Sequence, residues 1–578
     1  MDTSLPAPAQ GGVRRSRSDN SGARSRRTCA AASQSYAKIV RDFCGLPTGV
    51  GQRHERLAHF LSPLLNFNTA QYPDFQPRGT AFLVRYRFQS VTASPENNLQ
   101  RSQPSSRAAV PSIATPAWGL SDPKFFDDEE SYLQQEIPSE ADSPGLLLFL
   151  RGYPSPNWVG TIGGTHLADP EMFSRWFDFR SMDSSVHSFS QSSLPSLSWN
   201  LIELPITTLG SLDSMISLPT QDHLDDARRE WAAGLRSYHT KLGVHVPAVG
   251  TSLIRGIQLF DEFHYAVEQR ITICMRPAEG RKGWVVFIWA DATADLFETL
   301  LTGPWSSVRD SFKPKKKFFH PIFRYRPNDG LLAHSMSRNE PENNNEAPPS
   351  ASQLHTGYGR SLRTESMAQD PFYALNEVFT LAAASQKQLL DLAEHKLDQY
   401  NAQLDEKDSD PLPNLRYMKQ VLLQHTRKIR AARNAIQSAK PPKWPKAAGE
   451  VSRRTRSLVE RDFAHLEGHA QALNTRCQEI ITNLMNGMSI MESKKVLHQA
   501  ARVEKLTFLA LIFVPLSFTT SFFGMNVQGL DGVPMWSWFA ATVPLMALTL
   551  FVFFYDVVGF WNRCTARVRG WVQRLLMN

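Results

Sequence analysis

Near its C-terminus the chain carries a tripeptide, Gly524-Met525-Asn526, that could bind a cation. Mg²⁺ takes oxygen ligands and releases its water reluctantly, so neutral amide oxygens can hold the hydrated ion without trapping it. A ring of Asn526 side chains, one from each subunit of an oligomer, would supply such oxygens. Gly524 would allow a tight turn where a helix ends, and Met525 would fill the space beneath that turn. A simple helix cap before an exposed loop is the alternative interpretation.

Polar and small residues upstream fall on the same helical face as this tripeptide, at spacings of three to five. They are Thr507, Ala510, Val514, Ser517 and Ser521. Ser517 and Ser521 could contact a hydrated ion, or could instead bond back to the carbonyl four residues earlier. Val514 is a candidate hydrophobic constriction, which would close a pore by dewetting.

Two apolar stretches flank the tripeptide. Residues 506–523 contain no charge, and residues 536–560 contain only Asp556. Each is long enough to cross a bilayer as a helix, although buried core helices of a soluble protein would also be apolar. Basic residues precede the first stretch and follow the second, and residues 524–535 have none. The positive-inside rule therefore predicts that both termini are cytosolic.

The stretch KLTFLALIFVPLSFTTSFFGMNV, residues 505–527, resembles the pore helix of the CorA-type magnesium/divalent-cation transporter family, in a fungal-like form with an extended N-terminus. The resemblance implies a homopentamer in which Gly524, Met525 and Asn526 form the outer selectivity filter. It implies that Mg²⁺, with Co²⁺ and Ni²⁺ as further candidates, moves down its electrochemical gradient. A non-conducting CorA-like membrane scaffold or sensor is the alternative.

The same resemblance bears on regulation and cofactors. Family members sense Mg²⁺ through carboxylates between the stalk and the soluble domain, which makes Glu460, Asp462 and Glu467 candidate regulatory ligands. Mg²⁺ is expected as the transported and regulatory ion, with no permanently bound cofactor. The sequence contains neither an HExxH nor a GxSxG motif, so these motifs give no prediction of an enzyme.

A heptad pattern precedes the first apolar stretch. Apolar residues alternate in steps of four and three at Val459, Phe463, Leu466, Ala470, Leu473, Cys477, Ile480 and Leu484. This spacing predicts a coiled-coil stalk helix that continues, without an intervening proline, into the membrane. A cytosolic coiled coil that stops before the membrane is the alternative. Residues 368–440 are predicted to form a helical hairpin that packs against the stalk.

The remaining sequence predicts an α/β domain. Leu146–Leu150, Val267–Met275 and Trp284–Ala290 are apolar runs typical of strands, and Asp169-Pro170 is a helix start. Segments rich in Ser, Arg, Asn and Pro predict disorder. The N-terminal segment, residues 1–53, alternatively resembles a mitochondrial transit peptide.

The predicted fold class is an α+β membrane protein with an N-terminal cytosolic α/β domain, a long helical stalk and two C-terminal transmembrane helices. The predicted divisions are a disordered arm (1–53), the α/β domain (54–334) with a loop insertion near 89–122, a disordered linker (335–367), the hairpin (368–440), the stalk (446–505), the first span (506–526), an outer loop (527–535), the second span (536–560) and a basic tail (561–578).

Composition narrows the location and the partners. The net charge of +8 on 578 residues is modest and does not indicate nucleic-acid binding. The five cysteines include no CxxC pair, which suits a reducing compartment. The expected partners are further copies of the chain, the lipid bilayer and divalent cations. The plasma membrane is favoured because there is no clear transit peptide, and the mitochondrial inner membrane is second.

Overall fold

A computed structural model describes most of the chain. The described residues are 18–46, 54–65, 81–90, 118–135, 144–179, 194, 197–212, 221–244, 247–277, 283–293, 303–309, 312, 317–322, 351–402, 411–439, 444–445, 449–525, 534–553 and 555. The chain forms two compact units, Met1–Glu479 and Ile480–Asn578.

The first unit contains a nine-stranded sheet. In chain order its strands are β1 (Leu83–Ser90), β2 (Trp118–Leu120), β3 (Lys124–Phe126), β4 (Gly145–Arg151), β5 (Leu201–Leu212), β6 (Gly256–Leu259), β7 (His264–Pro277), β8 (Trp284–Ala290) and β9 (Lys317–Phe319). The order across the sheet is β2-β1-β4-β8-β7-β5-β9, with β3 paired to β1 and β6 to β7. β4 and β8 are parallel, and every other pair of described strands is antiparallel.

Continuous apolar sequence explains the centre of this sheet. Every residue of β4 and of β8 is buried, as expected for strands covered on both faces. The three predicted strands are confirmed, because they lie within β4, β7 and β8. β7 and β8 are neighbouring antiparallel strands, with Pro277 opposite Trp284.

The described helices are as follows. They are α1 (Ser18–Cys44), α2 (Glu55–Leu61), α3 (Glu129–Gln134), α4 (Pro156–His166), α5 (Pro170–Trp176), α6 (Gln221–Val244), α7 (Thr364–Gln369), α8 (Pro371–Ala374), α9 (Asn376–Ala402), α10 (Leu412–Ser438), α11 (Glu450–Phe523) and α12 (Trp536–Phe553). The helix start predicted at Asp169-Pro170 is confirmed, since the Asp169 carboxylate accepts the N–H of Glu171.

Helices α1, α2, α4, α5 and α6 share one apolar core with the sheet. Trp176 of α5 stacks on Trp289 of β8, with ring centroids 4.5 Å apart and an interplanar angle of 10°.

The pair α9 and α10 packs on β5 as well as on α11. The amide nitrogen of Gln386 donates to the carbonyl of Pro205 at 3.2 Å. The Cys477 thiol of α11 donates to the carbonyl of Leu415 in α10 at 3.3 Å. The predicted hairpin therefore contacts the stalk helix, and it also covers part of the sheet.

The first six heptad residues of α11 are buried by contacts within the single chain. Val459, Phe463, Leu466, Ala470, Leu473 and Cys477 are all buried. Contacts such as the Cys477–Leu415 bond come from the chain's own α10. Over this segment, the pattern that predicted a coiled coil reflects packing on α9 and α10. α11 is nevertheless one unbroken helix of 74 residues, as expected for a stalk that continues into the first apolar stretch.

The prediction of disorder over 1–53 is wrong for Ser18–Cys44, which forms α1. Tyr36, Ala37 and Val40 are buried in the core. Three glycines of α4 admit this helix: a Cβ at Gly163 would lie 2.4 Å from the Tyr36 ring. A short apolar strip is enough for packing because these glycines let α1 approach α4 closely, where Ser33 also lies 3.1 Å from the hydroxyl of Thr161.

Two other predicted irregular segments also need correction. Within the linker 335–367, the described residues 351–367 pack on the sheet: Tyr358 is buried against Phe149, with ring centroids 4.8 Å apart. The ends of the loop near 89–122 are paired strands, with Phe88 opposite Leu120. Residues 91–117 lie outside the described residues.

Candidate functional site

Two helices are long and apolar enough to cross a membrane, the C-terminal part of α11 and α12. In the most apolar 18-residue windows of these helices, only 11% and 6% of the residues are buried. A core helix of a soluble protein buries most of such a surface. The exposure therefore favours two lipid-facing helices over the soluble-core alternative.

The described chain follows the tripeptide as far as Met525. α11 ends at Phe523, and the N–H of Gly524 still donates to the carbonyl of Thr520 at 3.0 Å. Gly524 is a turn residue after the helix end, and it is absent from the described glycines with positive φ, so it makes no left-handed turn. Met525 is 58% exposed and does not fill a space beneath a turn. Asn526 lies outside the described residues.

The predicted pore-lining face is open in the single chain. Thr507, Ala510, Val514, Ser517 and Ser521 are all exposed. The buried side of the same segment is different, and carries Pro515 and Thr519. The five predicted residues thus share an uncovered side of α11. Phe513 and Phe518 are exposed as well, so exposure alone does not distinguish the predicted pore-lining face from the rest of the helix. The hydroxyl groups on that face distinguish it better.

Hydroxyl groups in this segment differ in their hydrogen bonds. Thr507 donates to the carbonyl of Val503 at 2.8 Å, and Thr520 donates to that of Leu516 at 2.7 Å. Within the described part of α11, Ser517 and Ser521 make no such bond to the preceding turn. Their hydroxyls are therefore exposed, and their oxygens can accept hydrogen bonds from the water shell of a hydrated cation.

The predicted regulatory carboxylates are not gathered into a metal site. Glu467 is buried, and its oxygens contact Arg430 at 2.6 Å and Arg433 at 2.8 Å. Burial raises the pKa of Glu467, but the two arginines outweigh it and hold the pKa below its usual value. In this conformation Glu467 is a paired carboxylate, and its role as a regulatory ligand stays a prediction.

Glu460 is half-buried and Asp462 is exposed. Among the described residues, no group of three or more His, Cys, Asp or Glu side chains could hold a metal ion. The sequence interpretation missed the arginines that neutralise Glu467. Their spacing of three residues, which places both on one side of α10, was the available signal.

Comparison with known proteins identifies the region that contains these features. A model of the family described as CorA-like Mg²⁺ transporter protein matches residues 352–555. This range includes α7–α11, the tripeptide and α12. The chain is also similar to a solved structure, the CorA magnesium transporter from Methanocaldococcus jannaschii. That similarity has 14% sequence identity and a TM-score of 0.28, and covers 60% of this chain and 97% of that one. The search of curated proteins found no match.

Proposed function

We propose, on the premise that the chain belongs to the CorA-type family through residues 352–555, that it is a homo-oligomeric, channel-type transporter of Mg²⁺. Co²⁺ and Ni²⁺ are further candidate cargoes, and the ion moves down its electrochemical gradient. The function is transport without enzymatic chemistry, and Mg²⁺ is the cargo with no resident cofactor. The supporting observation is the uncovered face of α11 on which the hydroxyls of Ser517 and Ser521 make no hydrogen bond to a described residue, about two turns and one turn before Gly524.

The proposed selection step uses the hydrated ion. Mg²⁺ dehydrates reluctantly, so a ring of Asn526 amides from several subunits would bind its water shell through neutral oxygens. A carboxylate ring would bind a divalent cation more tightly and release it more slowly. Ser517 and Ser521 would then offer the same kind of contact farther along the helix. Val514, which is 66% exposed, would form the apolar constriction.

Flux through reconstituted liposomes tests this proposal. Asn526→Ala removes the amide and is expected to abolish Mg²⁺ uptake, as measured with an entrapped Mg²⁺-sensitive dye. Asn483→Ala makes the same chemical change at an exposed position of α11 and is expected to leave uptake unchanged. Light scattering on each purified variant checks that assembly is intact.

A second pair of variants addresses the helix face. Ser517→Ala combined with Ser521→Ala is expected to lower the flux. Thr520→Ala, which removes a hydroxyl already bonded to Leu516, is expected to have little effect. Equal flux for the wild type and Asn526→Ala would refute the pore role and favour a non-conducting scaffold or sensor.

We further propose that both termini face the cytosol and that the membrane is the plasma membrane. The loop 524–535 carries no Lys or Arg, whereas both flanks are basic, which is the pattern of the positive-inside rule. Protease accessibility of a C-terminal tag in intact cells, together with cell fractionation, measures both. Recovery of the protein with mitochondria would indicate the inner membrane instead.

A further inference from the structure

A cavity of ≈ 350 Å³ lies in the first unit, where β5 and β7 meet α10. This volume falls within the range typical of small-molecule sites, about 300–1,000 Å³. Its wall combines charged and apolar side chains. The lining residues used below are Phe179, Ile206, His239, Arg255, Arg270 and Lys428.

Three carboxylates line the wall: Glu268 is buried, Glu203 is half-buried and Asp178 is exposed. Glu268 accepts from Gln258 and Lys428 and lies 2.8 Å from His425. Glu203 lies 2.6 Å from Arg270. Burial raises the pKa of Glu268, but Lys428 and His425 together hold it well below its usual value. Glu268 therefore remains charged, and its two oxygens are engaged by Gln258, His425 and Lys428, so it leaves little capacity for a cationic ligand.

The cations in the wall keep unused donors. Arg255 directs Nε and Nη2 to Asp291, and its Nη1 makes no hydrogen bond to a described residue. Arg270 has a buried Nε without a partner in the described chain. Lys428 is 34% exposed and uses one N–H on Glu268. These three cations therefore keep spare hydrogen-bond donors for an anionic group.

Neutral and apolar groups complete the wall. His239 Nε2 lies 2.8 Å from the carbonyl of Ile254, and burial lowers the pKa of His239. A neutral imidazole that donates through Nε2 leaves Nδ1 as an acceptor. Phe179 and Ile206 provide apolar surface. A ligand that satisfies this wall has an anionic group and a compact body with apolar area.

We propose that this cavity binds a small organic anion, with its phosphate or carboxylate group on Arg255, Arg270 and Lys428 and its body against Phe179 and Ile206. Charge-assisted bonds from guanidinium and ammonium groups are among the strong ones. The site joins the sheet to α10, and α10 holds Glu467 of α11 through two arginines. The bound anion therefore stabilises the packing of α10 on the sheet. This inference does not depend on transport.

Isothermal titration of the purified full-length protein in detergent tests the site. The probes are AMP for an organic phosphate, citrate for an organic carboxylate, and inorganic phosphate. Saturable binding of AMP or citrate is expected, with a Kd of about 1 mM or lower. Whichever of the two binds more tightly identifies the anionic group.

Three variants of α10 locate the binding. Ala431→Trp places a ring at an exposed lining position without changing any charge, and is expected to abolish binding. Lys428→Gln is expected to weaken binding about tenfold. Arg427→Gln removes one positive charge from an exposed position of the same helix outside the lining, and is expected to bind like the wild type.

Three outcomes would overturn the proposal. They are the absence of AMP and citrate binding to the wild type, unchanged binding by Ala431→Trp, and inorganic phosphate binding as tightly as either organic anion. All are equilibrium measurements on the protein in detergent, so a failure here is distinct from a failure of ion flux.

Discussion

At the scale of single residues, the buried imidazole of His166 makes the first unit sensitive to acid. Its Nε2 lies 2.5 Å from the Tyr132 hydroxyl. Burial, followed by the charges of Arg276 and Arg85, lowers the pKa of His166 from 6.5 to about 4. Between these two values the unfolded chain takes up a proton that the folded chain excludes, so folding stability falls as the pH drops from about 6.5 to about 4.

The variant His166→Gln tests this pH dependence. Glutamine is neutral at every pH, and its amide oxygen can accept the Tyr132 hydroxyl. A full pKa shift of this size corresponds to a stability change on the order of 3 kcal/mol. The decrease in Tm between pH 7 and pH 4.5, followed by tryptophan fluorescence, is expected to be smaller in the variant. His465→Gln, at an exposed position, is the control and should retain the wild-type decrease. Identical decreases in all three proteins would contradict the assignment.

Residue roles could be predicted where they depend on one helix alone. The exposure of Ser517 and Ser521 follows from their spacing along α11. The pairing of Glu467 did not follow, because Arg430 and Arg433 lie on another helix. Which residues meet across α10 and α11 depends on how the two helices align, and a single sequence does not fix that alignment. The charged cavity was not predicted for a similar reason, because most of its lining residues lie on β5, β7 and α10 and meet only in the folded chain.

At the scale of elements, the contact between α1 and α4 depends on glycines of α4, which have no side chain to separate the two helices. A Cβ on Gly163 would lie 2.4 Å from the ring of Tyr36, whose hydroxyl donates to the carbonyl of Ala168 at 3.0 Å. Gly163→Ala is therefore expected to loosen α1 and to destabilise its packing by about 1–3 kcal/mol. Hydrogen exchange of the amides of residues 31–44 measures the effect, which should appear as faster exchange there.

Gly468→Ala is the matched control for that experiment. No atom lies within 4 Å of the Cβ that this change would add, and alanine favours a helix by about 0.5–1 kcal/mol. Exchange in residues 31–44 should then match the wild type. Protection of α1 that is unchanged in Gly163→Ala would show that the close approach is relieved at no cost.

Elements with strong local sequence patterns could be predicted. Elements that are stable only through tertiary packing against other parts of the chain could not. β4 and β8 are apolar throughout, so their burial was evident from sequence. α1 is polar and rich in arginine and serine, and its few apolar residues are buried through packing against α4, whose glycines allow a close approach, and against α2 and α3. The glycines of α4 form no periodic apolar pattern from which the packing of α1 could be predicted. Composition therefore predicted disorder where tertiary packing produces a helix.

At the scale of the whole molecule, the part of α11 before the first span exposes large apolar side chains. Met488, Met491, Leu497 and Val503 are 47–69% exposed in the single chain. We propose that further copies of the chain cover part of these exposed apolar side chains. The fold class and the family were predicted from sequence, because the apolar spans and the tripeptide are local signals. The number of subunits came only from the resemblance.

The double variant Leu497→Asp with Val503→Asp tests this surface. Buried carboxylates without partners are costly, so the variant is expected to lower the mass of the purified particle in light scattering. Phe125→Asp changes an equally exposed apolar residue in β3, at 55% exposure, and should leave the mass unchanged. A mass equal to one chain in the wild type would refute the oligomer itself.

The parallel pairing of β4 with β8 also constrains how the protein is made. Residues 145–151 bind residues 284–290, so the middle of the sheet cannot close until the ribosome has released the second segment. Pairings this distant along the chain form slowly, because their loop-closure entropy is lost before the contacts form. During translation the nascent chain must hold an unpaired apolar strand edge, which is a surface prone to aggregation. Chaperone binding to the emerging β4 is the consequence to look for in the cell.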